Sequence, residues 1–481
     1  MDQFFFLLLL INICSGILLL PYPLNLLFLT LSSSRWGDPQ ITKYYEKPEL
    51  PTVTIQIPVY NEPRIIQSTL RNIANLLYPP DQLKVQIIDD STDETAEKLD
   101  QEVSNLCQQG IHVDLVRRSG RTGYKAGALA HGLKQIQSDL VAIFDADFQV
   151  DPNFLQRSVH YFKSNPYLGA LQTRWEHRNL HYSLFTRAMS IGLDGHFLVE
   201  KPGRLKRNAF ITFNGSGGIW KRDAINTIGG WSSETLAEDL DLAYRAQIQG
   251  YEILYLRELT NSQEIPPTIR YWTIQQTRWA KGFSQNLRKN FRLFWQTAPP
   301  KSRIQGVLHL SQYSVPALIL VNTTTGAILL FFPEIRDFRL VFFVLGVLFT
   351  IATGCGAISY AIALLRAQRP RYFILLIPLF LFWGSGLIVR MALGAMVGLV
   401  KKGGEFIRTP KFNLLGDRRP ANERMPIDKI FFAEFGYTLI LLAGTFQAVQ
   451  LGGSYLTLGL YYSFLLLGTV NLIISELRHA L

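Results

Sequence analysis

The 481-residue sequence predicts an α/β domain with a largely parallel sheet, joined to a multi-pass α-helical membrane region. Three observations carry that prediction. Apolar runs alternate with helical patterns between about Ser33 and Arg303, the signature of strand–helix–strand units. Long apolar stretches lie at both ends of the chain, and 48% of all residues are hydrophobic with a mean hydropathy of +0.12. The Asp89-Asp90 and Asp145-Ala-Asp147 motifs fall at the carboxyl ends of apolar runs, where open α/β sheets bind ligands.

Taken in order, Phe4–Thr30 is almost wholly apolar and lacks the basic start and small-residue cleavage site of a signal peptide, so we expect a retained transmembrane helix over residues 1–32. "VTIQIPVYNE" (Val53–Glu62), "LKVQIIDDSTDET" (Leu83–Thr95) and "LVAIFDADF" (Leu140–Phe148) read as buried strands ending in polar turns, separated by helical patterns such as Ile65–Leu77 and Thr95–Cys107. The α/β domain is expected over 33–265. Residues 266–304 read as interfacial amphipathic helices with two tryptophans, Trp272 and Trp279, of which Trp272 suits an interfacial anchor. Residues 305–481 read as a transmembrane region. Within it, 371–400 has basic residues at both ends: Arg366, Arg369 and Arg371 before it, and Lys401, Lys402, Arg408, Lys411, Arg418 and Arg419 after it. By the positive-inside rule both ends face the cytosol, and Pro378, Gly384-Ser-Gly386 and the intramembrane Arg390 favour a broken re-entrant or interfacial segment. Residues 401–428 then form a cytosolic loop, leaving five spans and an external N-terminus.

The net charge of +11 admits nucleic acid, membrane or anionic substrates; no basic stripe lies outside the membrane-flanking loops, so no nucleic-acid partner is expected. Cys14, Cys107 and Cys355 offer neither a disulfide framework nor zinc spacing.

Each motif also has an ordinary explanation. Asp145-Ala-Asp147 can hold Mg²⁺ or Mn²⁺ or be a solvated turn. Asp89-Asp90 can accept hydrogen bonds from a base or ribose, or cap the following helix. "RRSGRTGYKAGAL" (Arg117–Leu129) sets Arg121 and Lys125 among glycines, as an anion site or a surface loop. "FNGSGGIW" (Phe213–Trp220) allows close approach of an acceptor, or simply a tight turn. "LAEDLDLAYRAQIQG" (Leu236–Gly250) puts Glu238, Asp239 and Asp241 at a helix start, where negative charge is stabilising and a carboxylate can also act as a base.

Together, in this order, IPVYNE, DDSTD, GYKAGAL, DAD, FNGSGG, the ED dipeptide and QQTRW over Pro51–Asn290 resemble the processive family 2 glycosyltransferases of the cellulose synthase superfamily, most of all the plant cellulose-synthase-like glucomannan synthases. "FIRTPK" (Phe406–Lys411) is similar to the FxVTxK gating loop of cellulose synthases, with Arg408 in place of Val. The resemblance implies a GT-A (Rossmann-like, nucleotide-sugar-binding) cytosolic domain and an inverting transfer of glucose or mannose from UDP-glucose or GDP-mannose to a growing β-linked polysaccharide that is carried across the membrane. The alternative is a single transfer to a diacylglycerol or ceramide-type lipid. By position, Tyr60 and Glu62 would line the nucleoside pocket, Asp89 or Asp90 would bind the base, Lys125 would contact the nucleotide, and Asp145 and Asp147 would hold nucleotide and Mg²⁺ or Mn²⁺. Asp239 would be the general base, Arg278 would bind diphosphate, and Thr409 and Lys411 would close over it. Phe213, Asn214, Gly215, Glu238, Gln275 and Trp279 would meet the acceptor. The cellulose synthase TED is Ala237-Glu238-Asp239 here, and the C-terminus carries no RxxxR…DxSxxG module for a cyclic dinucleotide. A plasma (inner) membrane location with a cytosolic catalytic domain follows, in contact with membrane lipid.

Overall fold

The computed structural model describes residues 3–35, 37–46, 49–413 and 427–480. Seven strands build one mixed sheet: β1 (Val53–Val59), β2 (Leu83–Asp89), β3 (Val113–Arg117), β4 (Leu140–Ile143), β5 (Leu168–His177), β6 (Gly218–Lys221) and β7 (Glu252–Gln263). Their order is β3-β2-β1-β4-β6-β5-β7. The first four pair in parallel. β6 is inverted, antiparallel to both β4 and β5, and β5 pairs in parallel with β7 across two register shifts. The sheet is therefore mixed where the sequence predicts a largely parallel one.

Helices cover both faces of the parallel half, so Val53, Ile55, Ile57, Val85, Ile87, Ile88, Val141 and Ile143 are all buried, and the strands read as unbroken apolar runs. Two polar exceptions satisfy each other: Gln56 Nε2 donates to Gln86 Oε1 at 2.8 Å, and Gln86 Nε2 donates to the Gly132 carbonyl at 3.2 Å. A Cβ at Gly132 would collide with both glutamine side chains, so the helix Tyr124–Leu133 approaches the sheet through a glycine. The three predicted strands are shorter than their apolar runs, ending at Val59, Asp89 and Ile143. The chain turns at each of these points; after β1 it does so through Asn61, whose φ is +52°. The residues beyond the strand ends are those that face the site.

A 29-residue helix, Ile269–Thr297, follows β7 and carries Gln275, Arg278 and Trp279 near its start. Thr268 caps it. Trp272, expected as an interfacial anchor, is 8% exposed and lies edge-on to Phe185 at 6.1 Å, because the helix here packs against protein. The helix docks on Ile388–Val400 through Gly394 and Gly398, where a Cβ would lie 3.0 Å from the Thr277 carbonyl oxygen and would run into that of Lys281, respectively.

Four helical segments are long and apolar enough to cross a membrane: Gln3–Ser32, Pro333–Arg366, Ile430–Leu451 and Gly453–Arg478. Two bent pairs, Ser302–Leu310 with Gln312–Leu329 at 43° and Arg371–Gly386 with Ile388–Val400 at 55°, raise the number to six if each is one span. Both ends of the second pair touch the sheet domain. Arg369 donates to Asp194 and Glu176, Lys402 pairs with Glu234 at 3.1 Å, and Arg288 donates to the Val400 carbonyl at 2.6 Å. Arg390 is satisfied inside the helices by Glu434 (2.7 Å), Glu476 (2.6 Å) and Asp428 (2.6 Å), the pairing that a buried charge requires. Arg418 and Arg419 lie outside the described residues, as does the 414–426 part of the predicted loop.

Candidate active site

A cavity of about 450 Å³ opens at the carboxyl ends of β1, β2 and β4 and extends along the Ile269–Thr297 helix to Tyr313, Tyr360 and Phe380 of the helical region. Its floor is the turn after β4. Lys125 Nζ donates to Asp145 Oδ1 at 2.6 Å and to the Gly215 carbonyl at 2.9 Å. Asp147 is 3% exposed; its Oδ2 accepts from the Glu264 amide at 3.2 Å and meets Lys411 Nζ at 2.6 Å. Glu264 in turn fastens the 401–413 segment, accepting from the Phe412 amide at 3.0 Å. The FIRTPK segment thus lies over the DAD turn, with Thr409 and Lys411 in the cavity wall and the Thr409 hydroxyl buried without a hydrogen-bond partner among the described residues. Among the described residues no three His, Cys, Asp or Glu side chains converge into a metal cage. Two neighbouring carboxylates are the donor set that suits a hard divalent cation taking its remaining ligands from phosphate and water.

One wall comes from β1, β2 and the glycine-rich turn. Tyr60, Glu62 and Asp90 line it. The Arg121 guanidinium lies 3.3 Å above the Tyr60 ring. Asp90 is gripped by Arg118, whose Nε donates to Oδ1 at 2.8 Å and whose Nη2 meets Oδ2; the same guanidinium folds the turn by donating to Thr122 and Tyr124 carbonyls. Asp89 does not line the cavity. Its side chain is 1% exposed and holds Arg117 Nε (3.0 Å) and the Ser91 amide (2.9 Å). Adjacent residues at a strand end point to opposite faces, so only one of the pair can reach the ligand side. Burial pushes the Glu62 carboxyl up to about 7, although Arg408, 2.5 Å away, opposes the shift.

The opposite wall holds Phe213, Asn214, Glu238, Asp239, Gln275, Arg278 and Trp279. Gly215 backs it with φ +75°, and a Cβ there would lie 2.9 Å from Asp239 Oδ2; backbone conformation and space both call for glycine. Glu238 and Asp239 open the helix Glu238–Ile248. Burial, and for Glu238 also the charge of Asp239, pushes Glu238 to about 7 and raises Asp239; Lys125 and Arg278 oppose both shifts. Asp241 is turned away from the cavity: it is fully buried and pairs with Arg245 (2.8 Å) and Lys289 (3.0 Å). Burial lowers the Arg278 pKa against the pull of Glu238, Asp239 and Asp145, and its guanidinium sits 4.2 Å over Phe406, linking the helix to the FIRTPK segment.

The site therefore sets an acidic pair of raised pKa across from lysines, an arginine and a two-carboxylate turn, an arrangement able to remove a hydroxyl proton while an anionic group departs. Sequence reading located most of these groups. It did not single out Arg118, Glu264, His196 or Glu200: the first three meet Asp90, Asp147 and Asn214, distant in the chain, and Glu200 is tied to that network through His196 one turn before it; the dense charge of RRSGR was the one local signal, and it does not say which arginine meets Asp90.

Residues 51–282 match the family described as Glycosyltransferase like family 2. The chain is similar to glucomannan 4-beta-mannosyltransferase 9 of Arabidopsis thaliana, 42% identical over 243 residues, and to glucomannan 4-beta-mannosyltransferase 2 of the same plant, 41% identical over 243 residues. Each match covers 50% of this chain and 46% of the relative, so the chain spans about half the length of the curated relatives it matches. Among solved structures it is similar to mannosyltransferase PcManGT from Pyrobaculum calidifontis in complex with GDP-Man and Mn²⁺, with a TM-score of 0.55 at 21% identity over 81% of this chain and 99% of that one, a likeness of fold. The sheet order, the DAD turn and the sequence match coincide over residues 51–282, which match the glycosyltransferase-like family 2 description and build a GT-A-like mixed-sheet α/β domain.

Proposed function

We propose that this chain is a membrane-embedded inverting hexosyltransferase that moves glucose or mannose from a nucleotide sugar to a growing β-linked glycan and passes the product into its helical region. The observation that carries this reading is the continuity of one cavity from the DAD turn, past Asp239 and Trp279, to Tyr360 and Phe380 among the helices. The names of the relatives favour mannose and those of the solved neighbour GDP-mannose.

In this reading Tyr60, Glu62 and Asp90 receive the nucleoside. Lys125, Arg278, Thr409 and Lys411 surround the diphosphate. Phe213, Asn214, Glu238, Gln275 and Trp279 meet the acceptor, with Trp279 offering an aromatic face to a sugar ring. Asp147 and Asp145 would hold Mg²⁺ or Mn²⁺, which supplies charge neutralisation for the diphosphate. Asp239 takes the acceptor hydroxyl proton as that oxygen bonds to the anomeric carbon and the nucleoside diphosphate leaves from the other face. A single displacement converts an α-linked donor into a β-linked product. The contacts of Arg369, Lys402 and Lys411 with the sheet domain support a re-entrant 371–400 segment, a gating role for 401–428 and a common cytosolic side for loop and domain.

The test is a product assay on the purified chain in lipid with Mg²⁺ or Mn²⁺, giving labelled UDP-glucose and GDP-mannose separately. Insoluble label released by β-mannanase or β-glucanase establishes the polymer and names its donor. Label confined to the chloroform phase replaces this reading with single transfer to a lipid.

A further inference from the structure

One polar chain reaches the cavity that the roles above leave unused. Residues His196–Glu200 continue the helix Leu184–Gly195 as a single π-helical turn. Such turns shift a side chain out of the regular helical register and recur at functional sites. Here the turn brings His196 and Glu200 into the cavity wall beside Asn214. His196 Nδ1 lies 2.9 Å from a Glu200 carboxylate oxygen, and Asn214 Nδ2 lies 3.2 Å from His196 Nε2.

These contacts restrict where the protons can sit. Glu200 also accepts from Arg204 Nε at 3.0 Å, which favours its ionised, acceptor-only form. Nδ1 of His196 therefore donates to Glu200, and in the neutral ring Nε2 keeps a lone pair. That lone pair accepts from the Asn214 amide, so the amide nitrogen faces the histidine and the amide oxygen faces Thr212, whose hydroxyl donates to it at 3.3 Å. The Asn214 backbone is fixed separately, its N–H donating to Gln172 Oε1 at 2.7 Å. The next residue, Gly215, abuts Asp239. Nearby, Gly192 and Gly195 allow Phe380 and Tyr360 to close on the same wall, where a Cβ would lie 3.1 Å and 2.9 Å from their rings. The wall thus pairs aromatic faces with an amide of set polarity, the two surfaces that a sugar ring's C–H face and hydroxyls require.

We infer that His196, oriented by Glu200, is an acceptor-positioning residue: it sets the Asn214 amide so that the remaining N–H and carbonyl lone pair engage a hydroxyl of the acceptor sugar beside Asp239. Its ligand class is a hexose unit of a β-linked glycan. The role rests on the transferase reading above and adds to it a determinant of acceptor affinity. Without the ring acceptor an asparagine amide can rotate by half a turn, exchanging donor for acceptor at the sugar.

The experiment uses the full chain in lipid, the donor found in the product assay, and mannopentaose or cellopentaose as acceptor. His196→Phe keeps a ring but loses the acceptor nitrogen; His196→Gln offers a side-chain carbonyl in its place. His196→Phe is expected to raise acceptor KM about tenfold, the loss of roughly one hydrogen bond, while donor KM moves by less than about twofold, and His196→Gln to recover most of the difference. An unchanged acceptor KM in His196→Phe overturns the inference, as does a parallel change in both KM values and kcat in both variants, which marks a role in packing alone. A parent protein that transfers no sugar from either donor removes the transferase reading and this inference with it; a parent that transfers normally confines any failure to His196.

Discussion

At the scale of single residues, the consequential choice in the proposed transfer is which carboxylate of the Glu238-Asp239 pair takes the acceptor proton. Both line the cavity wall, and burial raises the pKa of both carboxyls. Asp239 is the one that lies against Gly215, with Lys125 nearby. Asp239→Asn keeps the volume and removes the proton acceptor, so turnover is expected to fall by about 10²–10⁴-fold while nucleotide affinity, read by calorimetry, persists. Turnover within a few-fold of the parent would reject the assignment. The sign of the pH dependence follows from the raised pKa. A base works deprotonated, so kcat/KM should climb with pH, with its acid limb displaced above the ordinary aspartate value. The protons of such a pair leave in steps that belong to the pair. A pH–rate profile with its acid limb near 4, the ordinary aspartate value, would show that burial does not tune this group. Asp89 and Asp90 mark where reading residues in a line reaches its limit: the dipeptide is plain in the sequence, but the pleat that turns Asp89 inward to Arg117 and leaves Asp90 at the cavity is a property of the paired strand.

At the scale of elements, the helix Ile269–Thr297 positions Arg278 and Trp279, and its own position is set by glycine contacts with Ile388–Val400. Small residues four apart let backbones approach closely within a membrane protein. Gly398→Leu would drive a side chain into the Lys281 carbonyl, a backbone atom that cannot rotate away. We expect a loss of about 1–3 kcal/mol, typical of overpacking, seen as a lower Tm in detergent together with reduced transfer. Gly354→Leu is the control, because a Cβ there meets nothing within 4 Å. Equal Tm and turnover in the two variants would sever the helix contact from the site. Elements differ in how legible they are for a related reason. β1, β2 and β4 are buried on both faces and announce themselves as apolar runs. β5 carries Gln172, Thr173 and Arg174 mid-strand, β6 is four residues long, and β3 is only half-buried at the sheet edge, so none has a local pattern that exceeds its surroundings. The inversion of β6 depends on pairing with β4 and β5, which no window of sequence contains.

At the scale of the whole molecule, the question is how the helical region is threaded relative to the catalytic domain. The charge bias of the sequence puts both ends of 371–400 on one side, and the structure provides contacts that bear on it independently. Arg369 before the segment grips Asp194, and Lys402 after it pairs with Glu234. Farther on, Lys411 reaches the DAD turn itself. Two flanks tied to one soluble domain support the proposed re-entrant segment, since a straight span separates its ends by roughly 30 Å of hydrocarbon. A 55° bend between Gly386 and Ile388 breaks the segment in its middle. Cysteine labelling tests this in a background where Cys14, Cys107 and Cys355 are replaced by alanine. Glu258, Glu405 and Asp337 are exposed and lie in the domain, in the 401–413 segment and between two apolar helices, respectively. Glu258→Cys and Glu405→Cys should react with an impermeant maleimide from the same face of sealed vesicles, and Asp337→Cys from the other. If Glu405→Cys instead reacts together with Asp337→Cys, 371–400 is a full span, and the contact between Lys411 and Asp147 cannot exist in the membrane, so the gating role falls with the topology.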